Sequence, residues 1–171
     1  MQERELIDRS RIHVVVIPTP REEGTSAPKH VLARLDAFAS RYRLVEGLDE
    51  LWLVIDVDRW PEQQLSEVAQ ESAQKRFYLA VSSPCFELWL LLHVTADVAT
   101  VRTCDDCDRE LRRLLGSYNK SNLDVTFFGT RAAIESAIAR GRALDSTASD
   151  RLPRAIGSHL HRLASRLLRP L

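Results

Sequence analysis

The chain has 171 residues, a length that predicts one domain with its own hydrophobic core. Its 24 lysine and arginine residues balance its 24 aspartate and glutamate residues, so the net charge gives no general attraction to nucleic acid. Three cysteines, no apolar run of bilayer length and a charged N-terminal segment argue against a disulfide scaffold, a membrane span and a signal peptide. These features predict a cytoplasmic protein with no membrane partner.

In the first two-thirds of the chain, predicted strands alternate with predicted helices. The β-branched run IHVVVIP at 12–18 predicts a short buried strand, and Ser26 with Pro28 predicts the start of a helix. The run ELWLVIDVD at 50–58 predicts a second strand, covered on both faces because nearly every residue is apolar. A second helix follows, and FYLAVSS at 77–83 predicts a third strand.

The rest of the chain is predicted to be mainly helical. Ser83 and Pro84 predict the N-cap and first residue of a buried helix, CFELWLLLHV, which has Glu87 in its first turn. An amphipathic helix is predicted at CDRELRRLLGSY, an ordered loop at NKSNLDVTFFG, and a helix after Thr130. A loop over DSTASDRLPRAIG leads to a closing helix, SHLHRLASRLL. The alternation of strands and helices before this helical part predicts a parallel sheet with right-handed crossovers.

Two aspartates end the second predicted strand. Strand alternation places Asp56 and Asp58 on one side, roughly 6.5–7 Å apart. Because ligands of parallel sheets bind beyond the carboxyl ends of the strands, these aspartates and Glu87 are predicted to meet at one edge. Carboxylates in such a place suit Mg²⁺ or Mn²⁺, which retain water and substrate phosphate as further ligands. The alternatives are a turn-capping and a solvated aspartate, and a glutamate that only complements the helix dipole.

Two cysteines and one lysine lie in polar segments further along the chain. The pair Cys104 and Cys107 has zinc-like spacing, but no second pair accompanies it, and the neighbouring acids would raise the thiol pKa values. A functional role for this pair is therefore disfavoured. Lys120, in YNKSNLD, is a candidate phosphate contact, and the alternative is a polar turn.

The C-terminal segment 151–171 contains five arginines and two histidines but no acid. Arg154, His159 and Arg162 are therefore candidate contacts for DNA or RNA. The alternative is a basic amphipathic helix whose arginines are simply solvated.

Several segments together resemble the RloB family in order and spacing. They are DELWLVIDVDRW, LAVSSPCFELWLLLH, YNKSNLD, RAL at the end of a helix, and GSHLHRL. The resemblance covers the chain from about residue 12 onward, and SPCFELWLLLH is its most specific part. It implies a Toprim-like α/β core over residues 1–95, followed by a helical extension over 96–171 packed on that core.

The resemblance also implies a function. RloB proteins are associated with anti-phage defence or abortive infection, often beside an ATPase of the OLD or ABC type. Toprim proteins form or cleave phosphodiester bonds with a divalent metal. By this resemblance Asp56 and Asp58 match the Toprim aspartate pair as metal ligands, while Glu87 and Lys120 are the catalytic candidates.

The sequence departs from the family pattern at two places. Ser83 stands where the family usually has asparagine. The family's first strand and its glutamate are also not recognisable, because QERELIDRSR resembles the helix that follows that strand, and Glu22 and Glu23 come after the next strand. Either the start is late, or the chain is a member that binds metal without hydrolysis, since loss of a general acid–base group costs about 10²–10⁴ in rate.

The leading hypothesis is thus a Mg²⁺-dependent nuclease-type domain in phage defence. The alternative is a non-catalytic partner or sensor subunit that binds a defence ATPase through apolar and basic helices. A third interpretation, a phosphatase nucleophile pair, fits poorly because Arg59 and Trp60 follow where Gly-Thr is usual.

Overall fold

The structure is a computed structural model that describes residues 6–7, 12–18, 26–145 and 150–168. In chain order its elements are α1 (Pro28–Arg41), β1 (Trp52–Asp56), α2 (Glu62–Gln74), β2 (Tyr78–Ser83), α3 (Phe86–Val94), α4 (Cys104–Leu115), α5 (Val125–Phe128), α6 (Arg131–Leu144), β3 (Gly157–Ser158) and α7 (Leu160–Leu167). The mixed α/β class with a helical C-terminal part is confirmed. The likeness to Toprim domains and the division at residue 95 stay predictions. None of the described helices has the length and apolarity needed to cross a bilayer.

The sheet has three strands in the order β1-β2-β3 among the described residues, and its first two strands are parallel. β1 and β2 are parallel, and their register pairs Trp52 with Tyr78 at one end and Asp56 with Ser82 at the other. The two-residue β3 pairs antiparallel with the last two residues of β2, which the sequence did not indicate. The carboxyl ends of β1 and β2 therefore lie side by side, which is the geometry that the predicted site requires.

Two apolar cores hold the sheet between helices. The first joins α1 and α2 to β1 and β2; its buried members are Leu32, Leu35, Leu53, Ile55, Leu65, Val68 and Val81. The second surrounds α3, which is buried over Glu87–His93, and brings in α4, α6 and α7. Since α3 follows β2 directly, its first turn is fixed at the carboxyl edge of the sheet by burial rather than by surface contacts.

The prediction of a strand at 12–18 is wrong. These residues have no regular secondary structure, and Val14, Val15 and Val16 are half to four-fifths exposed. Only Ile17 packs against the first core. A β-branched run becomes a strand only where a sheet edge supplies hydrogen-bond partners, and within the described residues no strand pairs with this segment. Val54 of β1 is also exposed, so β1 is not covered on both faces as predicted.

Two helix starts differ from their predictions. The N-cap of α1 is Ala27, and no side chain caps it, so Ser26 does not have the predicted role. The N-cap of α3 is Cys85, and its helix begins at Phe86, so Ser83 and Pro84 precede the helix rather than begin it. Glu87 nevertheless lies in the first turn, as predicted.

The C-terminal part follows its predictions more closely. Gly116, with a positive φ of 74°, ends α4, and the Thr130 hydroxyl accepts a hydrogen bond from the Ala133 backbone and caps α6. The loop predicted before Thr130 contains the short helix α5, which Asp124 caps. The predictions on QERELIDRSR apart from Leu6 and Ile7, on residues 19–25 and 146–149, and on the last three residues lie outside the described residues.

A candidate acidic site at the carboxyl edge of the sheet

The acidic site consists of Asp56, Asp58 and Glu87, with Lys120 paired to Glu87. β1 ends at Asp56, and the Val57 backbone N–H donates to the Ser82 carbonyl of β2 at 3.1 Å. Asp58 therefore lies in the turn after β1, and strand alternation, on which its predicted orientation rested, does not apply to it. The structure still brings its charge within range of Asp56.

Asp56 is half-buried and lies near the negative charges of Asp58 and Glu87. Burial raises its pKa to about 6; the Phe86 backbone hydrogen bond lowers this pKa, and the negative charges of Asp58 and Glu87 raise it. Lys120 offsets only part of this repulsion. An added cation would favour the ionised form of a carboxylate held among like charges, and Asp56 is such a carboxylate.

Glu87 is paired with Lys120. The Lys120 Nζ lies 2.5 Å from Glu87 Oε1, and the glutamate side chain is 6% exposed whereas that of the lysine is 70% exposed. Burial opposes ionisation of Glu87, but hydrogen bonds from Lys120 and Cys85 outweigh it and lower the Glu87 pKa. The hydrogen bond to Glu87 raises the pKa of Lys120, so both groups are charged at neutral pH.

Asp58 faces solvent more than the other two acids. Its Oδ2 lies 3.6 Å from the exposed Arg59 Nε and accepts from the Cys104 thiol at 3.5 Å. An exposed ion pair of this kind contributes little and does not close off the carboxylate. Asp58 is exposed, and its ion pair with Arg59 leaves the carboxylate accessible to a ligand.

The three cysteines of the chain gather beside this site, which sequence reasoning missed. Cys85 hydrogen-bonds with Cys107 and with Cys104; the Cys107 contact and burial raise the pKa of Cys85, and the Cys104 contact lowers it by less. Burial and Cys85 also raise the pKa of Cys104. All three are free thiols, and the raised pKa values of Cys85 and Cys104 make these two poor nucleophiles. The raised pKa of Cys104 comes from burial, Cys85 and Asp58 rather than from the acids next to it in sequence, and no sequence signal indicated the contact with Cys85.

The donor set of the acidic site fits some cations and not others. Across the described ranges, no group of three or more His, Cys, Asp and Glu side chains is arranged to hold a metal ion. A closed tetrahedral zinc site, which needs four protein ligands, is therefore not formed there. Magnesium commonly takes one or two carboxylates and completes its shell with water, so Asp56 with one neighbouring acid fits that habit.

The predicted nucleic-acid contacts fall in a different environment. Asp145, at the C-cap of α6, binds His161 Nε2 at 3.0 Å and Arg162 Nη2 at 2.7 Å, and His159 Nε2 lies 3.6 Å from it. We name these four residues the histidine cluster. Burial together with the Arg162 charge lowers the pKa of His159 to about 4.

Of the three predicted contacts, the structure leaves one at the surface. His159 is 2% exposed, and Arg162 is committed to Asp145, whereas the Arg154 side chain is 75% exposed and pairs with Asp150. The sequence showed a basic segment, but it carried no sign that Asp145, before the loop, would neutralise it. A role for Arg154, His159 and Arg162 in binding nucleic acid stays a prediction, and burial gives His159 no surface for direct contact.

Fold and site together define a mixed α/β protein with an acidic site at the carboxyl edge of a small, mainly parallel sheet. The family model described as RloB-like protein matches residues 2–167, so the chain belongs to the RloB-like family. No curated protein and no solved structure matches the chain.

Proposed function

We propose that this RloB-like chain is a Mg²⁺- or Mn²⁺-dependent, nuclease-type domain that acts on phosphodiester bonds of DNA or RNA. The observation that supports this proposal is the convergence of Asp56, Asp58 and Glu87 at the sheet edge, where the exposed cations Lys120 and Arg59 compensate only part of their charge. Edges of this kind are where α/β proteins bind substrates. When bound, a divalent cation would supply charge stabilisation for the phosphate and lower the pKa of water.

Each residue of the acidic site has a distinct part in this proposal. Asp56, with Asp58 beside it, would hold the cation. Glu87, kept ionised by Lys120, would orient a water molecule towards the phosphate. The Lys120 side chain, largely exposed, would contact a phosphate oxygen as a point charge once the substrate arrives. Arg154, exposed but paired with Asp150, would contact the substrate backbone.

Cleavage of labelled DNA and RNA tests the proposal. The wild-type chain and the Asp56→Ala/Asp58→Ala variant would be compared in Mg²⁺, in Mn²⁺ and in chelator, with Asp108→Ala as control, since Asp108 forms an exposed pair with Arg112. We expect metal-dependent cleavage that drops at least about 100-fold in the double variant and not in the control. Equal activity in wild type and double variant would remove the aspartates from the mechanism.

A second candidate function is that of a non-catalytic partner or sensor subunit. The consecutive exposed residues Val14, Val15 and Val16 favour it, because contiguous exposed apolar surface commonly marks an interaction site. The partner would be an ATPase of the OLD or ABC type, which the family resemblance supplies, as it supplies the role in phage defence. Co-purification with such an ATPase that survives Asp56→Ala/Asp58→Ala but fails with Val15→Asp/Val16→Asp would favour this function. Co-purification that survives in both variants would exclude the surface around Val15 and Val16 as the ATPase contact.

A further inference from the structure

The three cysteines of the chain form one contact cluster beside the acidic site, and the proposed cleavage makes no use of them. Cys85 is the N-cap of α3, and Cys104 and Cys107 are the first and fourth residues of α4. Because residues three apart on a helix lie on one face, the two thiols of α4 can contact the same neighbour. That neighbour is Cys85, which hydrogen-bonds with Cys107 and with Cys104.

The three thiols differ in their access to solvent. Cys85 is 2% exposed and Cys107 is 0% exposed, and both belong to the second apolar core. Cys104 is partly exposed and packs against that core. A molecule in solution therefore reaches Cys104 first, while Cys85 and Cys107 are shielded from direct attack.

Two of the thiols also contact carboxylates of the acidic site. The Cys104 thiol donates to Asp58 Oδ2 at 3.5 Å. The Cys85 thiol donates to the Glu87 carboxylate. Loss of these two S–H groups would take one hydrogen-bond donor from each carboxylate, so a chemical change at the thiols acts on the acidic site by direct contact.

We propose that Cys104 and Cys85 are a site of reversible disulfide formation, with a low-molecular-weight disulfide, such as oxidised glutathione, as the oxidant. The bond joins the thiol that solvent reaches to the thiol that it contacts. Cys107 also contacts Cys85, but both of these thiols are buried, so neither meets an oxidant directly. The pairing therefore differs from the Cys104–Cys107 pair that the CxxC spacing suggests.

The reaction consists of two thiol–disulfide exchange steps. The Cys104 sulfur, as thiolate, attacks one sulfur of oxidised glutathione, breaks its S–S bond and releases one glutathione thiolate. The Cys85 sulfur then attacks the Cys104 sulfur of this mixed disulfide and releases the second glutathione thiolate. The two protons of the protein thiols pass to these thiolates and the oxidant takes up two electrons, so the products are one protein disulfide and two molecules of glutathione.

The first step is expected to be slow. The Cys107 contact and burial raise the pKa of Cys85, and burial and the Cys85 contact raise the pKa of Cys104, so little of either thiol is ionised at neutral pH. The contact between the two sulfurs favours the second step, because that step is intramolecular. The pair therefore stays reduced in a reducing solution and responds to a sustained excess of oxidised glutathione.

Oxidation of the full chain in glutathione mixtures tests this site. The chain is incubated at increasing ratios of oxidised to reduced glutathione, quenched with acid, alkylated in denaturant and analysed by intact-mass spectrometry. We expect one disulfide within the chain, which leaves one of the three thiols open to alkylation, and recovery of all three after treatment with dithiothreitol. Three free thiols at every ratio, glutathione retained on the chain as the final product, or a disulfide between two chains would overturn the proposal.

Peptide mapping of the oxidised wild type assigns the bond without any substitution. Cleavage before Asp105 or Asp106 separates Cys104 from Cys107, so the peptide joined to Cys85 identifies its partner. We expect the Cys104 peptide. A bond from Cys85 to the Cys107 peptide, or a bond between the two cysteines of α4, would contradict the proposal.

Serine variants provide a second assignment. Cys107→Ser should form the disulfide as the wild type does, whereas Cys104→Ser and Cys85→Ser should each lower the disulfide fraction at least about tenfold. A disulfide that persists within the chain of either of these two variants would contradict the pairing. Since every readout is a mass, the result does not depend on cleavage, and failure of the proposed cleavage and failure of the disulfide site are distinguished.

Discussion

The acidic site and the histidine cluster are both groups of charged residues, but they balance charge in opposite ways. In the acidic site three carboxylates have two exposed cations, Lys120 on Glu87 and Arg59 on Asp58, and the pKa of Asp56 is raised to about 6, mainly by burial. In the histidine cluster one carboxylate, Asp145, has an arginine and two histidines around it, and its pKa is lowered: burial opposes this, but hydrogen bonds from Arg162 and His161 outweigh it. Excess negative charge, as in the acidic site, favours the binding of a cation. Paired charges, as in the histidine cluster, join α6 to α7.

The largest effect on stability is expected from Asp145→Ala. This change leaves Arg162 and two buried histidines without their acceptor at the junction of α6 and α7. Breaking a buried pair in this way typically costs about 3–5 kcal/mol of unfolding free energy. Urea denaturation measures it, and Asp108→Ala, at an exposed pair, should stay within about 0.5 kcal/mol. A loss as small as that of the control would show that the histidine cluster is not structural.

Acidification should change the unfolding free energy in opposite directions through the two regions. The His159 pKa, lowered to about 4 from 6.5, means that the unfolded chain binds more protons between these pH values, so stability falls on acidification. The contribution is on the order of 3 kcal/mol. Asp56, with its pKa raised from 3.8 to about 6, acts oppositely: its stabilisation is present at low pH and lost as pH rises through 6.

Two variants resolve these opposing contributions. We expect His159→Asn to flatten the loss of unfolding free energy between pH 6.5 and 4, and Asp56→Asn to make that loss steeper. Denaturation at several pH values measures both slopes. Parallel curves for wild type and both variants would contradict the assigned pKa directions.

A more modest effect is expected from Lys120→Met. Removing the ammonium leaves Glu87 buried without its cation, so the pKa of Glu87 should rise, and that of Asp56 should rise above about 6. Carboxyl NMR titration measures both, and Lys75→Met, which breaks an ion pair with Asp36, is the control. Unchanged carboxyl pKa values would mean that Lys120 does not hold Glu87 in solution.

The smallest effect is expected from Cys104→Ser. The thiol is neutral because of its raised pKa, and a hydroxyl can still donate to Asp58. We expect a change in unfolding free energy below about 1 kcal/mol and unchanged cleavage. Loss of cleavage in a stable variant would make Cys104 part of the acidic site rather than its neighbour.

The general course of the sheet and the meeting of Asp56 with Glu87 could be predicted because both depend on local rules. A parallel strand pair puts its carboxyl ends together, and the buried helix α3 follows β2 after only two residues. The strand predicted at 12–18 failed for a complementary reason, since a strand needs a partner that local pattern does not reveal.

Contacts between distant segments could not be predicted in the same way. Lys120 reaches Glu87 from a loop, and Asp145 meets Arg162 across a segment with no regular pattern. The sequence therefore presented His159 and Arg162 as part of a basic segment, whereas the fold places both beside Asp145. Charge counted along a chain does not show which charges the fold will pair.

Direct binding of Mn²⁺ tests the central claim that the acidic site receives a divalent cation. Electron paramagnetic resonance of Mn²⁺ with wild type, with Asp56→Asn/Asp58→Asn and with the Asp108→Asn control reports free and bound ion without any need for activity. The account predicts one ion bound per chain in wild type and control, displaced by excess Mg²⁺, and none in the double variant. Equal binding by the double variant, or no binding by the wild type, would contradict it.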